Sequence, residues 1–356
     1  MAENKAETVP LQQRALYQAL PKVELHRHLE GSLRLGTMIE VAQSQGLDFI
    51  GRGPLQYLVQ VGENDPYTFQ NFLSKFETLR LFYRSPEIIG RITREAIADA
   101  AADNVRYLEL RFTPAALSVA QGFMLSEVMD WVVEHARLAS LEYGLTTRLI
   151  ASVNRHESVK IAEQVAQLSV ERNSGGIVGL DLAGNEAQFS ARPFVPIFRE
   201  AQQAGLQVTL HAGEWGGAEN VAQALVDFGA CRIGHGVRVM EDPEVVDLAR
   251  ERRAAFEVCI TSNYQSGVAP SLESHPVRRM LTAGLNVTLC TDDPSISRIT
   301  LGDEYQTACE NLQLTLPELK WVILAAAEAA FISDREKEDL AARLAREIDE
   351  VNQGNG

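Results

Sequence analysis

The pattern that most limits what this chain can fold into is an alternation of short, β-branched apolar runs with long amphipathic stretches. The runs are Val23–Leu29, Tyr107–Phe112, Thr146–Val153, Ile177–Ala183, Gln207–Ala212, Arg232–Gly236, Ala254–Ile260 and Asn286–Thr291. Between them lie Ile89–Asp103, Leu125–Tyr143, Ser158–Ser174, Val195–Ala204 and Ala218–Phe228, where apolar residues recur at helical spacing. Strand followed by helix, repeated along the chain, implies parallel strands joined by right-handed crossovers. Eight such units close a sheet on itself, so the expected fold is α/β, a (β/α)8 TIM barrel.

One interval is too long for a single crossover. Residues 34–104 add a helical insertion after the first strand, and within it Phe69, Phe72, Leu73 and Phe76 share one helix face. That face either packs on the barrel or forms a lid over its mouth. After the eighth run, 316–351 reads as C-terminal helices with a highly charged end at Asp334–Glu350, and Asn352–Gly356 is expected to fray. No repeat array or low-complexity linker interrupts the chain, so a single domain over 1–356 is expected.

Composition narrows the partners. The chain is 46% hydrophobic and 23% charged, enough to bury a large core. A formal net charge of -15, with no basic patch or aromatic-interleaved basic stretch, argues against nucleic acid and leaves a small neutral ligand open. No apolar run is long enough to span a membrane, and Met1–Pro21 lacks the apolar segment of a secretion signal. Cys231, Cys259, Cys290 and Cys309 form no Cys-x-x-Cys pair and suit a reducing compartment. A cytoplasmic protein with no membrane partner is expected; oligomeric state leaves no mark on the sequence.

Residues able to bind metal or move protons gather at the C-terminal ends of the expected strands, where barrel enzymes place their chemistry. The first strand ends Leu25-His26-Arg27-His28. Alternate side chains of a strand share a face, so His26 and His28 point into the barrel mouth while Arg27 points away. The fifth runs into His211-Ala212-Gly213-Glu214, the sixth ends Gly234-His235-Gly236, and the eighth ends in Asp292-Asp293. Two adjacent buried carboxylates are costly unless paired. Either one binds a cation and the other a ligand, or the two form a solvated loop that caps a helix before Pro294. Three histidines and an aspartate suit Zn²⁺ with an open position for water. Ligand type alone leaves Fe²⁺, Co²⁺ and Mn²⁺ open. The fourth run ends Leu182-Ala183-Gly184-Asn185-Glu186, without the lysine that commonly bridges a second metal, so one ion is expected.

In these segments the chain resembles the adenosine deaminase family of metal-dependent amidohydrolases. The matching stretches are Leu25–Gly31, Leu180–Glu186, His211–Glu214, Arg232–Gly236, Ser262-Asn263 and Thr291–Pro294, in family order. The resemblance implies hydrolytic deamination of adenosine or a close 6-aminopurine nucleoside to inosine and ammonia, with one Zn²⁺ held by His26, His28, His211 and Asp292. It implies that Glu214 protonates purine N1, that His235 positions or deprotonates the attacking water, and that Asp293 bonds N7. The Gly184 N–H would face N3, and Phe69, Phe72, Leu73 and Phe76 would form a hydrophobic gate. Glu30 stands where many members carry an aspartate that bonds the ribose 5′-hydroxyl, which opens the possibility of a 5′-modified adenosine. Adenine deaminases are the nearest alternative, but they tend to read S-S-E, I-D-H-G and S-D-D-P where this chain has Gly184-Asn185-Glu186, Ile233–Gly236 and Thr291–Pro294. A catalytically silent binding protein on the same fold is a remote alternative, because no ligand or proton donor is missing. Among the remaining histidines, His156 reads either as a pocket-rim residue or as an ordinary loop residue. His135 reads as a surface residue, and His275, before Pro276, as having a local role.

Overall fold

A computed structural model describes residues 11–49 and 53–354. Eight strands form one parallel sheet in sequential order: β1 Lys22–His28, β2 Val105–Phe112, β3 Thr146–Asn154, β4 Ile177–Ala183, β5 Gln207–His211, β6 Arg232–Gly234, β7 Ala255–Val258 and β8 Asn286–Leu289. The sheet closes beyond the end of β8. There the His28 N–H donates to the Asp292 carbonyl and the Asp292 N–H donates to the His26 carbonyl, both at 2.8 Å. The result is the expected (β/α)8 barrel.

Three strands stop two residues sooner than their apolar pattern suggests. β6 ends at Gly234 and β8 at Leu289, and His235 and Asp292 just beyond them take left-handed φ values of 58° and 62°. Non-glycine residues rarely adopt that region, and strain of this kind concentrates at functional positions. β7 ends at Val258 because Ile260–Gln265 is already a helix, anchored by Glu304, whose carboxylate accepts the Ile260 and Thr261 N–H groups at 2.8 and 3.0 Å.

The barrel interior is not wholly apolar. Below the mouth, Arg111 on β2 and Arg232 on β6 are buried among Glu109, Asp181 and Glu257. Arg232 reaches Glu257 at 2.7 Å and Glu109 at 2.6 Å, while Arg111 reaches Glu257 at 2.8 Å and Asp181 at 3.3 Å. Two guanidinium groups thus face three carboxylates. The excess negative charge lies beneath the histidines.

The insertion consists of four helices, Leu35–Gln45, Leu55–Val59, Phe69–Leu79 and Pro86–Ala102, among the described residues. Phe69–Leu79 starts at Thr68, whose hydroxyl accepts the Asn71 N–H at 3.2 Å, a standard N-cap. Lys75 ties it down by donating to the Tyr57 carbonyl at 2.9 Å and to Asp65 at 3.2 Å. At the other end of the chain Leu316–Ala329 packs on β8 and β1, and Asp334–Gly354 packs on that helix through Leu344 and Ile348. The last helix extends past the expected limit at Val351; residues 355 and 356 of the expected frayed end lie outside the described residues.

Candidate active site

The strand ends deliver the expected side chains to one point. The His26 ring lies 5.2 Å from that of His28 and 4.6 Å from that of His211, measured between centroids. Asp292 Oδ1 is 3.2 Å from His26 Nε2 and 3.4 Å from His28 Nε2. His28 Nε2 and His211 Nε2 face each other at 3.3 Å.

Whether this cluster fits a metal ion depends on where the imidazole protons sit. His26 Nδ1 is 2.8 Å from Glu257, and His211 Nδ1 is 3.0 Å from Asp181. A carboxylate behind Nδ1 keeps a proton there and leaves the Nε2 lone pair free for a cation. His26 Nε2 is accordingly a buried atom with no hydrogen-bond partner, aimed at the centre of the cluster. His235 also comes within ligating reach of His26, His211 and Asp292. Its far nitrogen differs, for Nδ1 faces the Asn263 side-chain amide nitrogen at 3.1 Å. Burial holds His28 and His235 well below the ordinary imidazole range, so both are neutral. Burial alone would raise the Asp292 carboxyl, but the surrounding histidine nitrogens, His26 hydrogen-bonded among them, outweigh it and hold it well below its usual range. Imidazole nitrogens gathered around a carboxylate match the donor set of a catalytic divalent ion.

Beside this cluster opens a cavity of about 270 Å³, small for a ligand site. Glu214, Asp293, Gly184 and Glu30 all line it. Glu214 Oε2 lies 3.6 Å from His235 Nε2. Burial, reinforced by the charges of Asp292 and Glu186, pushes the Glu214 carboxyl well above its usual range. Burial and Asp292 do the same to Asp293, whose Oδ1 has no partner. Asp293 approaches so closely to Gly31 that a Cβ there would fall 1.8 Å from Oδ1, which explains the glycine after Glu30. Gly184 turns the chain at φ 90°, over the backbone of Arg155. Glu30 accepts the Thr113 N–H at 2.6 Å through Oε1 and leaves Oε2 buried and unpartnered.

The insertion reaches the cavity. Phe72, Leu73 and Phe76 line the cavity. Phe69 does not; its ring packs at 5.5 Å on Trp215, which lines the cavity from the loop after β5. His156 is exposed at the cavity rim. His135 is half-buried rather than a surface residue: Nδ1 faces the Trp131 carbonyl at 2.8 Å and the ring fills the space over Gly90.

Sequence reasoning missed the residues that hold this site in shape. Glu257 and Asp181 back the histidines, and their signal was a carboxylate inside an apolar strand run. Glu186 accepts the N–H groups of Gly213, Glu214 and Trp215 at 3.0, 2.6 and 2.8 Å, fixing the turn that carries Glu214. Ser262 donates to Asp292 Oδ2 at 2.7 Å. His275 is buried and bonded to Asn263 at 3.2 Å, so its role reaches the site.

Imidazoles backed by carboxylates, joined to an aspartate on the C-terminal rim of a (β/α)8 barrel, define a metal-dependent hydrolase. Residues 21–347 match the family described as adenosine deaminase. The adenosine deaminase of Vibrio cholerae is 34% identical over 330 residues, covering 92% of this chain and 98% of that protein. An amidohydrolase from Burkhoderia ambifaria, solved with bound Zn, superposes with TM-score 0.90 at 27% identity, over 99% and 97% of the two chains. An adenine deaminase from Arthrobacter aurescens gives TM-score 0.83 at 27% identity, over 94% and 98%. The chain belongs to the adenosine deaminase family and is a hydrolytic deaminase.

Proposed function

We propose that this chain deaminates adenosine, or a closely related 6-aminopurine nucleoside, to inosine and ammonia with one Zn²⁺, and that residues 1–356 act as a single barrel unit. The observation that carries the reading is that Glu214 and Asp293 line one cavity with His28, His211 and Asp292, where burial pushes both carboxyls well above their usual range. Purine N1 and N7 are both acceptors, so each needs a donor, and an ionised carboxylate offers none.

On this reading His26, His28, His211 and Asp292 hold the ion, which when bound makes hydroxide available at neutral pH by lowering the pKa of water from about 15.7 to about 7. Asp293 donates to N7 and the Gly184 N–H faces N3, orienting the ring. Water attacks C6, and Glu214 gives its proton to N1 as the ring carbon becomes tetrahedral. The proton that the water gives up passes to the amine nitrogen, the C6–N bond breaks and ammonia leaves; the remaining hydroxyl proton returns to Glu214 as the C6 carbonyl of the keto purine forms. Phe72, Leu73 and Phe76 exclude bulk water, which strengthens each polar contact.

The far end of the cavity favours a neutral sugar. Glu30 Oε2 offers an acceptor to a ribose hydroxyl, whereas a 5′-phosphate would meet Glu30 and Glu77 with Arg80 as the one guanidinium among the lining residues. Free adenine would leave this end unfilled. Turnover of adenine, adenosine, 5′-modified adenosines and AMP, followed by the ultraviolet change on loss of the 6-amino group, tests the assignment. Adenosine is expected to be fastest, and faster turnover of adenine or AMP would overturn it.

A further inference from the structure

Four groups behind the site form a hydrogen-bonded line that begins at a backbone N–H, whose polarity is fixed. The Val277 N–H donates to His275 Nδ1 at 3.2 Å. His275 Nε2 lies 3.2 Å from Asn263 Oδ1, and Asn263 Nδ2 lies 3.1 Å from His235 Nδ1. His275, Asn263 and His235 are 3%, 0% and 1% exposed, so solvent cannot reset the pattern.

Each proton follows from the one before. Because His275 Nδ1 accepts, a neutral His275 carries its proton on Nε2; burial lowers its pKa to about 3 and keeps it neutral. That proton must point at an oxygen, which turns the Asn263 amide so that its NH2 faces His235. Nδ1 of His235 must then be an acceptor, and the single proton of the neutral ring sits on Nε2. Reversing the line would set His275 Nδ1–H against the Val277 N–H and leave a buried donor unsatisfied.

We propose that His275 and Asn263 are positioning residues that lock His235 as its Nε2–H tautomer, so that it presents a hydrogen-bond donor, and not a base, to the reacting face. His235 Nε2 points towards Glu214 Oε2 at 3.6 Å and Asp292 Oδ2 at 3.8 Å. A protonated Nε2 cannot ligate a metal, which separates His235 from His26 and His211, whose Nδ1 atoms face carboxylates. It also cannot take a proton from water. The proton released as water attacks passes instead to a carboxylate, with Asp292 adjacent, and the His235 N–H steadies the incoming oxygen. The tautomer rests on hydrogen bonds alone, while its catalytic consequence rests on the deaminase reading above.

Asn263→Asp tests both parts. The carboxylate still accepts from His275 but now also accepts from His235, so the proton of His235 moves to Nδ1. Proton–nitrogen correlation spectra of ¹⁵N-histidine-labelled protein, without added metal and with Zn²⁺, read the tautomer directly. His235 should be Nε2–H in the wild-type chain and Nδ1–H in Asn263→Asp. In the latter kcat should fall by up to about 10⁴-fold, the order seen when one Asp–Asn exchange fixes the wrong tautomer of a catalytic histidine, with KM within a few-fold. His275→Leu should lose about tenfold or more in kcat. His275→Gln should recover most of that loss, because its amide can accept from Val277 and donate to Asn263. An Nδ1–H signal for His235 in the wild-type chain would overturn the tautomer. A switched tautomer with unchanged kcat would overturn its catalytic role and leave the tautomer standing.

Discussion

Glu257→Gln should weaken the protein and its metal site together, for one reason. The carboxylate uses both oxygens: Oε2 accepts from His26 Nδ1 and Arg111 Nη2, each at 2.8 Å, and Oε1 accepts from Arg232 Nε at 2.7 Å and Thr209 at 3.1 Å. An amide has one oxygen, so its NH2 must face either His26 and Arg111 or Arg232 and Thr209. A donor then opposes a buried guanidinium. Disrupting a buried ion pair from one side costs about 3–5 kcal/mol. Unfolding entropy of about 2.1 cal/mol/K per residue gives about 0.75 kcal/mol/K for 356 residues, so Tm should drop by about 4–7 °C. His26 also loses the partner that keeps its proton on Nδ1, which should reduce metal affinity about 10–100-fold. Calorimetry of the metal-free protein and competitive Zn²⁺ titration measure the two effects separately. An unchanged Tm with unchanged affinity would refute the role given to Glu257. Lost stability with full affinity would refute only the support of His26.

Glu214→Gln should bind Zn²⁺ and substrate normally while kcat falls about 10²–10⁴-fold, the span of a general acid, and a near-normal rate would remove Glu214 from that role. Because Glu214 acts when protonated and its pKa is raised, wild-type activity should be lost as pH rises through that raised value. Asp292→Ala should lose metal affinity, checked by metal analysis after dialysis; full occupancy would contradict its place among the ligands. Glu304 is raised by burial from 4.5 to about 7, so between those values the folded state binds more protons than the unfolded one. Stability should therefore fall as pH rises from about 4.5 to about 7, by about 3 kcal/mol from this group. Chemical denaturation across pH 4.5–8 should show a shallower slope in Glu304→Gln, and an identical slope would reject the assignment.

The placement of side chains at the barrel mouth was legible in the sequence where strand geometry alone decides position. His26 and His28 share a face because side chains alternate along β1, and His211 and Asp292 follow apolar runs that end at the same rim. It was not legible where the chain leaves the strand. His235 and Asp292 take left-handed backbone, and Phe69 turns from the cavity to Trp215, outcomes that depend on what packs against them. Glu257 lies 231 residues from His26, and nothing local to either residue announces the pair.

What the sequence by itself determined is therefore the barrel and the roster of side chains at its mouth, because periodicity and strand ends are local properties. What only the tertiary structure decided is the protonation of those side chains. The Glu214 and Asp293 carboxyls are pushed well above their usual range because they are buried beside other carboxylates. His26 and His235 carry their protons on opposite nitrogens because one meets a carboxylate from β7 and the other an amide fixed by His275. Burial and distant partners set a proton's place, and neither exists until the chain is folded.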